Sequence, residues 1–144
     1  MDTEIRARVV AAAREWAGTP YHHQASLKHV GADCLGLVRA VWREIYGQDA
    51  EAPPPYSPDW AETSQVETML EAAKRHLCEI AIEDRAAGDV AIFRLKQGTV
   101  AKHAAILTGA NTMIHAMEGV PVAEVALSAW WRRRIAAVFR FPGA

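Results

Sequence analysis

The chain has 144 residues, 51% of them hydrophobic and 23% charged, with a formal net charge of −1. That length suits one domain, 1–144, with a core of its own, and the near-neutral balance gives no pull toward nucleic acid or an anionic membrane surface. Two cysteines, Cys34 and Cys78, are too few for a disulfide framework and read as free thiols.

The N-terminal stretch MDTEIRARVVAAAREWAG alternates charged and apolar residues, unlike the apolar core of a signal peptide. Cytoplasmic synthesis is therefore expected, and no run approaches the ~18 apolar residues of a membrane span. Ile5, Val9, Ala12, Ala13 and Trp16 share a helical face, with Thr3 as cap and Gly18 and Pro20 as the stop. TPYHHQASLKHVGAD is polar and irregular and reads as a loop. From Cys34 the pattern is helical again: Leu35, Val38, Val41, Trp42 and Ile45 share a face, Asp33 stands at the N-cap and Gly47 at the stop. The proline-rich EAPPPYSPDW reads as an extended surface connection, and Thr63 to Leu77 as an amphipathic helix. Beyond Arg85, GDVAIFRL, HAAILTG, TMIHAM, PVAEVAL and IAAVFRF are short β-rich segments, with turns at Gly98, Gly109–Asn111 and Gly119. Helices followed by an antiparallel meander make an α+β domain.

Cys34 sits where a loop meets a helix. A cysteine nucleophile reacts as the thiolate, and a free thiol with a pKa of about 8.5 needs that value lowered. Helix N-terminal amides are one device for this, and a nearby imidazolium is another. Of the six histidines, His103 opens HAAILTG and His115 lies within TMIHAM. A hairpin turning at Gly109–Asn111 puts both near one end. One imidazole can then take the thiol proton while the other fixes its tautomer.

Five segments in order resemble the NlpC-type cell-wall peptidases, papain-like cysteine enzymes that cut peptidoglycan stem peptides. They are GTPYHH, GADCLGLVRAVW, AAGDVAIF, KHAAILTG and MIHAMEG. The resemblance implies a papain-like fold, helices packed on an antiparallel sheet with the nucleophile at a helix N-terminus. It implies Cys34 as nucleophile, His103 as general base and acid, His115 as the orienting residue and Tyr21 beside the nucleophile as an oxyanion donor. The reaction would be amide hydrolysis through a thioester, at the γ-D-glutamyl–diaminopimelate bond, with no cofactor and no metal. Asp33 is taken as a helix cap. Leu35 stands where the family usually has serine, and Gln24 and Ala25 where it has a glycine pair. YHHQAS, DCLGLVRAVWRE and WWRRRIAAVFRFP resemble a phage-tail subset that includes gene transfer agents. That implies tail proteins as partners and a place in a tail particle that opens the wall locally. The alternatives are a structural tail protein of the same fold with little activity, and an amidase or acyltransferase on another acyl group.

The remaining candidates have plainer readings. Cys78 in HLCEIAI is expected to be buried. His22 and His23 flank Tyr21, so one of them would line the groove, while His29 and His76 read as solvated surface residues. Cys34, Cys78, His103 and His115 are acceptable zinc ligands by type but lack the close spacing of a structural site. Trp130, Trp131 and Arg132–Arg134 read as a solvated face or a protein contact rather than a nucleic-acid patch.

Overall fold

The computed structural model describes residues 3–51 and 67–144. Helix α1 spans Thr3–Arg14, so Thr3 lies inside the helix rather than capping it. Val9, Ala12 and Ala13 are buried, as is Trp16 just beyond the last turn. The segment read as a loop carries a small hairpin, β1 (Ser26–Leu27) and β2 (Gly31–Ala32), with Tyr21 bridged to Ala32. Such short strands leave no alternation to read in the sequence. Helix α2 (Cys34–Tyr46) begins and ends as expected. Gly47 closes it in the left-handed region (φ 83°), its amide donating to the Arg43 carbonyl at 2.8 Å.

Helix α3 is shorter than expected, Thr68–His76. The proline-rich connection after Glu51 and the first residues of the expected helix lie outside the described residues. Strand β3 (Cys78–Ile80) precedes a single 3-10 turn, Ile82–Asp84. Then come β4 (Val90–Phe93), β5 (His103–Gly109), β6 (Thr112–Met117), β7 (Val120–Ala126), the one-turn helix α4 (Ala129–Arg132) and β8 (Ile135–Arg140). No described helix is long and apolar enough to cross a membrane.

The sheet is antiparallel throughout, in the order β3-β8-β4-β5-β6-β7. The expected meander holds for β4 to β7, but β8 returns to pair with β4 and carries β3 at the edge. Buried Asp89 supports this return, because its carboxylate accepts from Arg140 Nε at 2.9 Å and Nη2 at 3.0 Å, and from the Ala86 amide at 2.9 Å. Such a buried charge is tolerable only when paired and hydrogen-bonded.

Both faces of the central strands are covered. Val90, Ile92, Ala104, Ile106 and Ile114 belong to the main core with Val9, Leu37 and Val41 of the helices. Ala91, Phe93, Ala105, Leu107 and Met113 form a second, smaller layer with Leu127, against which Trp131 packs. Helix α2 lies over β5 and β6. Its fully buried face is Leu37, Ala40 and Val41, whereas Leu35, Val38, Trp42 and Ile45 are half-buried. The apolar stripe was thus wider than the core contact, and its remainder has a separate use.

Gly36, in the first turn of α2, has no room for a side chain. A Cβ there would stand 1.9 Å from the Ala25 carbonyl oxygen, which is backbone and cannot swing aside. We expect Gly36→Ala to cost on the order of 3 kcal/mol or to prevent folding. Gly47→Ala, with open space but a positive φ, should cost about 1 kcal/mol. Urea midpoints of the two variants check this; equal losses would mean that the Ala25 contact does not constrain the helix start.

Candidate active site

The position of Cys34 is set by its predecessor. Asp33 is buried in extended conformation at the N-cap of α2. Its Oδ1 accepts from the Gly36 amide at 2.7 Å and its Oδ2 from the Gln24 amide at 2.8 Å. One carboxylate therefore satisfies a free helix amide and pins the preceding loop to the same turn. Ser26 Oγ adds a bond to the Gly36 carbonyl at 2.6 Å, and Arg43 donates to Ser26 Oγ and O at 2.8 and 2.9 Å.

The Cys34 thiol donates to the Lys102 carbonyl at 3.8 Å. The backbone amides of Ala104, Leu35 and Cys34 itself favour its thiolate. The sulfur thus lies against the strand backbone on both sides of His103. Burial is the stronger influence, however. Together with the charge of Asp33 it pushes the thiol up to about 12. This corrects the expectation of a lowered thiol: the helix-end amides are present, but the apolar surroundings outweigh them.

His103 and His115 are 5% and 7% exposed. The pairings Ile106 with Ile114 and Leu107 with Met113 make them diagonal neighbours on one face. His103 Nε2 lies 2.9 Å from His115 Nδ1, with the rings at 77°. Burial pulls His103 down to about 3, with the neighbouring His115 adding to the effect, and burial also lowers His115. Both are therefore neutral imidazoles at pH 7. If His103 Nδ1 is to accept a proton, Nε2 must carry the ring hydrogen and donate it to His115 Nδ1. The resting site is a neutral thiol against the backbone that flanks a neutral histidine pair, not a preformed ion pair.

Tyr21 is held by its bridge to Ala32 and lines the same cleft as Cys34 and His103. Burial, with the charges of Asp33, Cys34 and Glu118, pushes its hydroxyl up to about 12, so it stays a proton donor at neutral pH. The cleft has a volume of about 390 Å³. Leu35, Val38, Trp42, Met69 and Ile92 form much of its apolar wall, and three of these are the half-buried residues of the α2 stripe. Leu35 is thus a wall of the cleft next to Cys34.

His23 lines the cleft with Nδ1 4.0 Å from Asp33 Oδ2, whereas His22 is exposed and covers Gly31. His29 is exposed, as expected. His76 departs from expectation: it lines the far end of the cleft, its Nε2 2.6 Å from Glu51 Oε1 and its ring edge-on to Trp42. Cys78 is exposed rather than buried, because β3 is an edge strand. Four strand spacings, about 19 Å, separate β3 from β6, so Cys78 cannot share a metal with His115. Among the described residues no cluster of three His, Cys, Asp or Glu is placed to hold an ion.

One residue at the site lay hidden in the basic run. The Trp131 ring lies 5.2 Å from that of His103 and 5.3 Å from that of His115. No periodicity signals it, because α4 is a single turn.

A profile of the NlpC/P60 family matches residues 18–140. No curated protein matches the chain. Solved structures with a similar fold include an NLP/P60 family protein, similar to lipoprotein, from Staphylococcus aureus (23% identity, TM-score 0.68, covering 98% of this chain and 42% of that one). Another is the NlpC/p60 domain of the peptidoglycan hydrolase SagA (23%, 0.66, 94% and 98%). A third is an NlpC/P60 family protein from Bacillus cereus (19%, 0.66, 94% and 40%). At these identities the likeness is one of fold, and the chain spans less than half the length of the first and third.

The neutral resting site has a signature in stability. His103 is lowered, so its contribution is full above its ordinary value of 6.5 and is lost as pH falls toward about 3. Cys34 is raised, so its contribution is full below its ordinary value of 9.0 and is lost as pH rises toward about 12. We expect urea midpoints to be highest between about pH 6.5 and 9, with the acid fall shallower in His103→Gln and the alkaline fall shallower in Cys34→Ser. Unchanged limbs in both variants would show that these groups are not held neutral by the fold.

Proposed function

Since the chain belongs to the NlpC/P60 family, we propose that it is a cysteine peptidase hydrolysing amide bonds of peptidoglycan stem peptides. The observation that carries this reading is the placement of the Cys34 sulfur against the backbone flanking His103, whose ring is hydrogen-bonded to His115. Sequence resemblance makes the γ-D-glutamyl–diaminopimelate bond the substrate. The peptidoglycan hydrolase among the proteins of similar fold supports the same substrate class.

In this reading His103 Nδ1 takes the thiol proton as Sγ attacks the scissile carbonyl carbon. Concerted transfer suits a site whose thiol and imidazole both rest neutral. The carbonyl oxygen becomes an oxyanion, accepting from the Cys34 amide at the helix N-terminus and from the Tyr21 hydroxyl. His103 then gives its proton to the leaving amine nitrogen, the C–N bond breaks and a thioester remains. Water attacks that thioester with His103 as base, releasing the carboxylate and restoring the thiol. His115 keeps the hydrogen of His103 on Nε2 throughout. Leu35, Val38 and Trp42 give the wall beside the nucleophile an apolar character, where the family usually has a serine next to the cysteine.

On the resemblance of YHHQAS and WWRRRIAAVFRFP to the phage-tail subset, the 144 residues act as one domain carried in a phage-like tail particle. Synthesised in the cytoplasm and docked to tail proteins, it opens the wall locally from that particle. One observation favours a second reading, a tail protein of the same fold with little hydrolysis: the thiol is bonded to the Lys102 carbonyl and held neutral.

Incubation with purified peptidoglycan and mass spectrometry of the fragments separates the two. We expect wild type to release cut stem peptides and Cys34→Ala to release none; identical fragment profiles would overturn the hydrolase reading. We also expect His103→Ala to lower turnover by roughly a thousandfold and His115→Ala by less, because orientation is easier to replace than proton transfer. Initial rates on a soluble stem peptide check the order, and a reversed order would exchange the two roles.

A further inference from the structure

We propose that Trp131 is a positioning residue for the His103–His115 pair: its indole, fixed by α4 on the outer face of the sheet, holds both imidazoles in the orientation in which His103 Nε2 meets His115 Nδ1. The proposal rests on reading those histidines as the proton-handling pair. The two rings stand at 77° to each other, and one indole meets both. It lies at 31° to His103, close to a stacked approach, and at 87° to His115, edge to face. A single rigid plane that fits both rings restricts rotation of each, and side chains with two torsions lose little entropy in being held this way.

The indole is itself held. Phe93 packs edge to face against it at 5.0 Å and Trp130 at 4.8 Å. The turn of α4 is fastened at both ends. The Leu127 amide donates to the Asn111 carbonyl at 2.8 Å, and Arg132 Nη1 donates to the Leu127 carbonyl at 2.8 Å. Arg134 donates to the Trp130 carbonyl at 2.8 Å and lays its guanidinium 3.6 Å from the Trp130 ring centre. Since Asn111 is in the β5–β6 turn, α4 is tied to the hairpin that carries both histidines.

Trp131 also covers His103 on this side. A hollow of about 260 Å³, lined by His115, Met117, Val120, Val125 and Trp131 among others, opens on this side. His115 already borders that hollow, and removing the indole would extend it to His103. The charged groups on the surrounding elements are engaged elsewhere or lie in solvent: Arg94 pairs with Glu67, Glu124 with Arg14, and Arg133 is exposed. Asp33, Cys34, Tyr21, Lys102 and Glu118 border the cleft on the other side. Burial is the leading influence on both rings, and Trp131 supplies part of it.

The test compares Trp131→Ala, Trp131→Phe and Trp130→Ala in the full chain. NMR titration of the His103 and His115 rings is read beside kcat and KM on a soluble stem peptide. Trp131→Ala should move both ring titrations up toward their ordinary range, raise the acid limb of kcat by the same interval, and lower kcat on the order of a hundredfold with little change in KM. Trp131→Phe should recover most of each effect, and Trp130→Ala, which removes one support of the indole, should move both titrations and kcat in the same direction but less. Where Trp131→Ala does not fold, Trp131→Phe against Trp131→Leu carries the comparison, because leucine fills space without presenting a plane. Unchanged titrations, or a moved titration with unchanged kcat in an active enzyme, would overturn the proposal. If the titrations move as expected but wild type cuts no peptide, it is the peptidase reading that fails.

Discussion

The contact on which the site depends is a single buried carboxylate. Asp33 uses one oxygen to cap α2 through Gly36 and the other to hold the Gln24 amide. This brings the 24–26 loop down onto the first helical turn, with the Ala25 carbonyl where a Cβ at position 36 would have to be. The cap, the glycine and the cysteine are therefore one unit. Shift the loop and the helix start moves, and with it the sulfur relative to Lys102 and Ala104. The serine–arginine contacts at Ser26 and Arg43 extend the same clamp one turn further along the helix.

A second feature follows from where that unit is placed. The helix N-terminus offers the sulfur two amides and strand β5 a third, that of Ala104, which alone would favour the thiolate. The same position is walled by apolar residues of α2, and the histidines beyond it are enclosed by the second layer. Burial disfavours every isolated charge, so the thiol rises and both imidazoles fall. The two shifts oppose a standing ion pair and leave a neutral thiol and two neutral imidazoles at pH 7. In the proposed reaction charge would form only during the attack, beside the Cys34 amide and the Tyr21 hydroxyl.

The unequal legibility of these parts in the sequence has physical causes. Helix α2 could be read from Asp33 to Gly47 because capping chemistry is local. The histidine pairing could be read as permitted, since a hairpin about Gly109–Asn111 fixes which residues become neighbours. The return of β8 to β4 could not, because it depends on the buried Arg140–Asp89 pair, whose members lie 51 residues apart. Cys78 was misjudged because an apolar stretch reads the same at a sheet edge as at its centre. The apolar stripe of α2 was legible as a stripe, but pattern alone does not separate residues facing a core from residues facing a cleft. His76 and Trp131 left no signal, since each acquires its neighbours only through long-range packing.

The two-sided burial of β5 connects these observations. Its sequence, HAAILTG, is apolar at successive positions because alternate side chains enter different layers: Ala104 and Ile106 go to the helices, Ala105 and Leu107 to the layer beneath Trp131. His103 is the first residue of that strand, where the layers meet the open end of the cleft. Its ring therefore packs with the second layer while its backbone neighbours contact the sulfur held by the first. A histidine deeper in the strand would be enclosed in one layer. One placed before the strand would lose His115 and the cover that keeps it neutral. The strand's starting position thus sets both the ring neighbours and the protonation state of the residue proposed as the base.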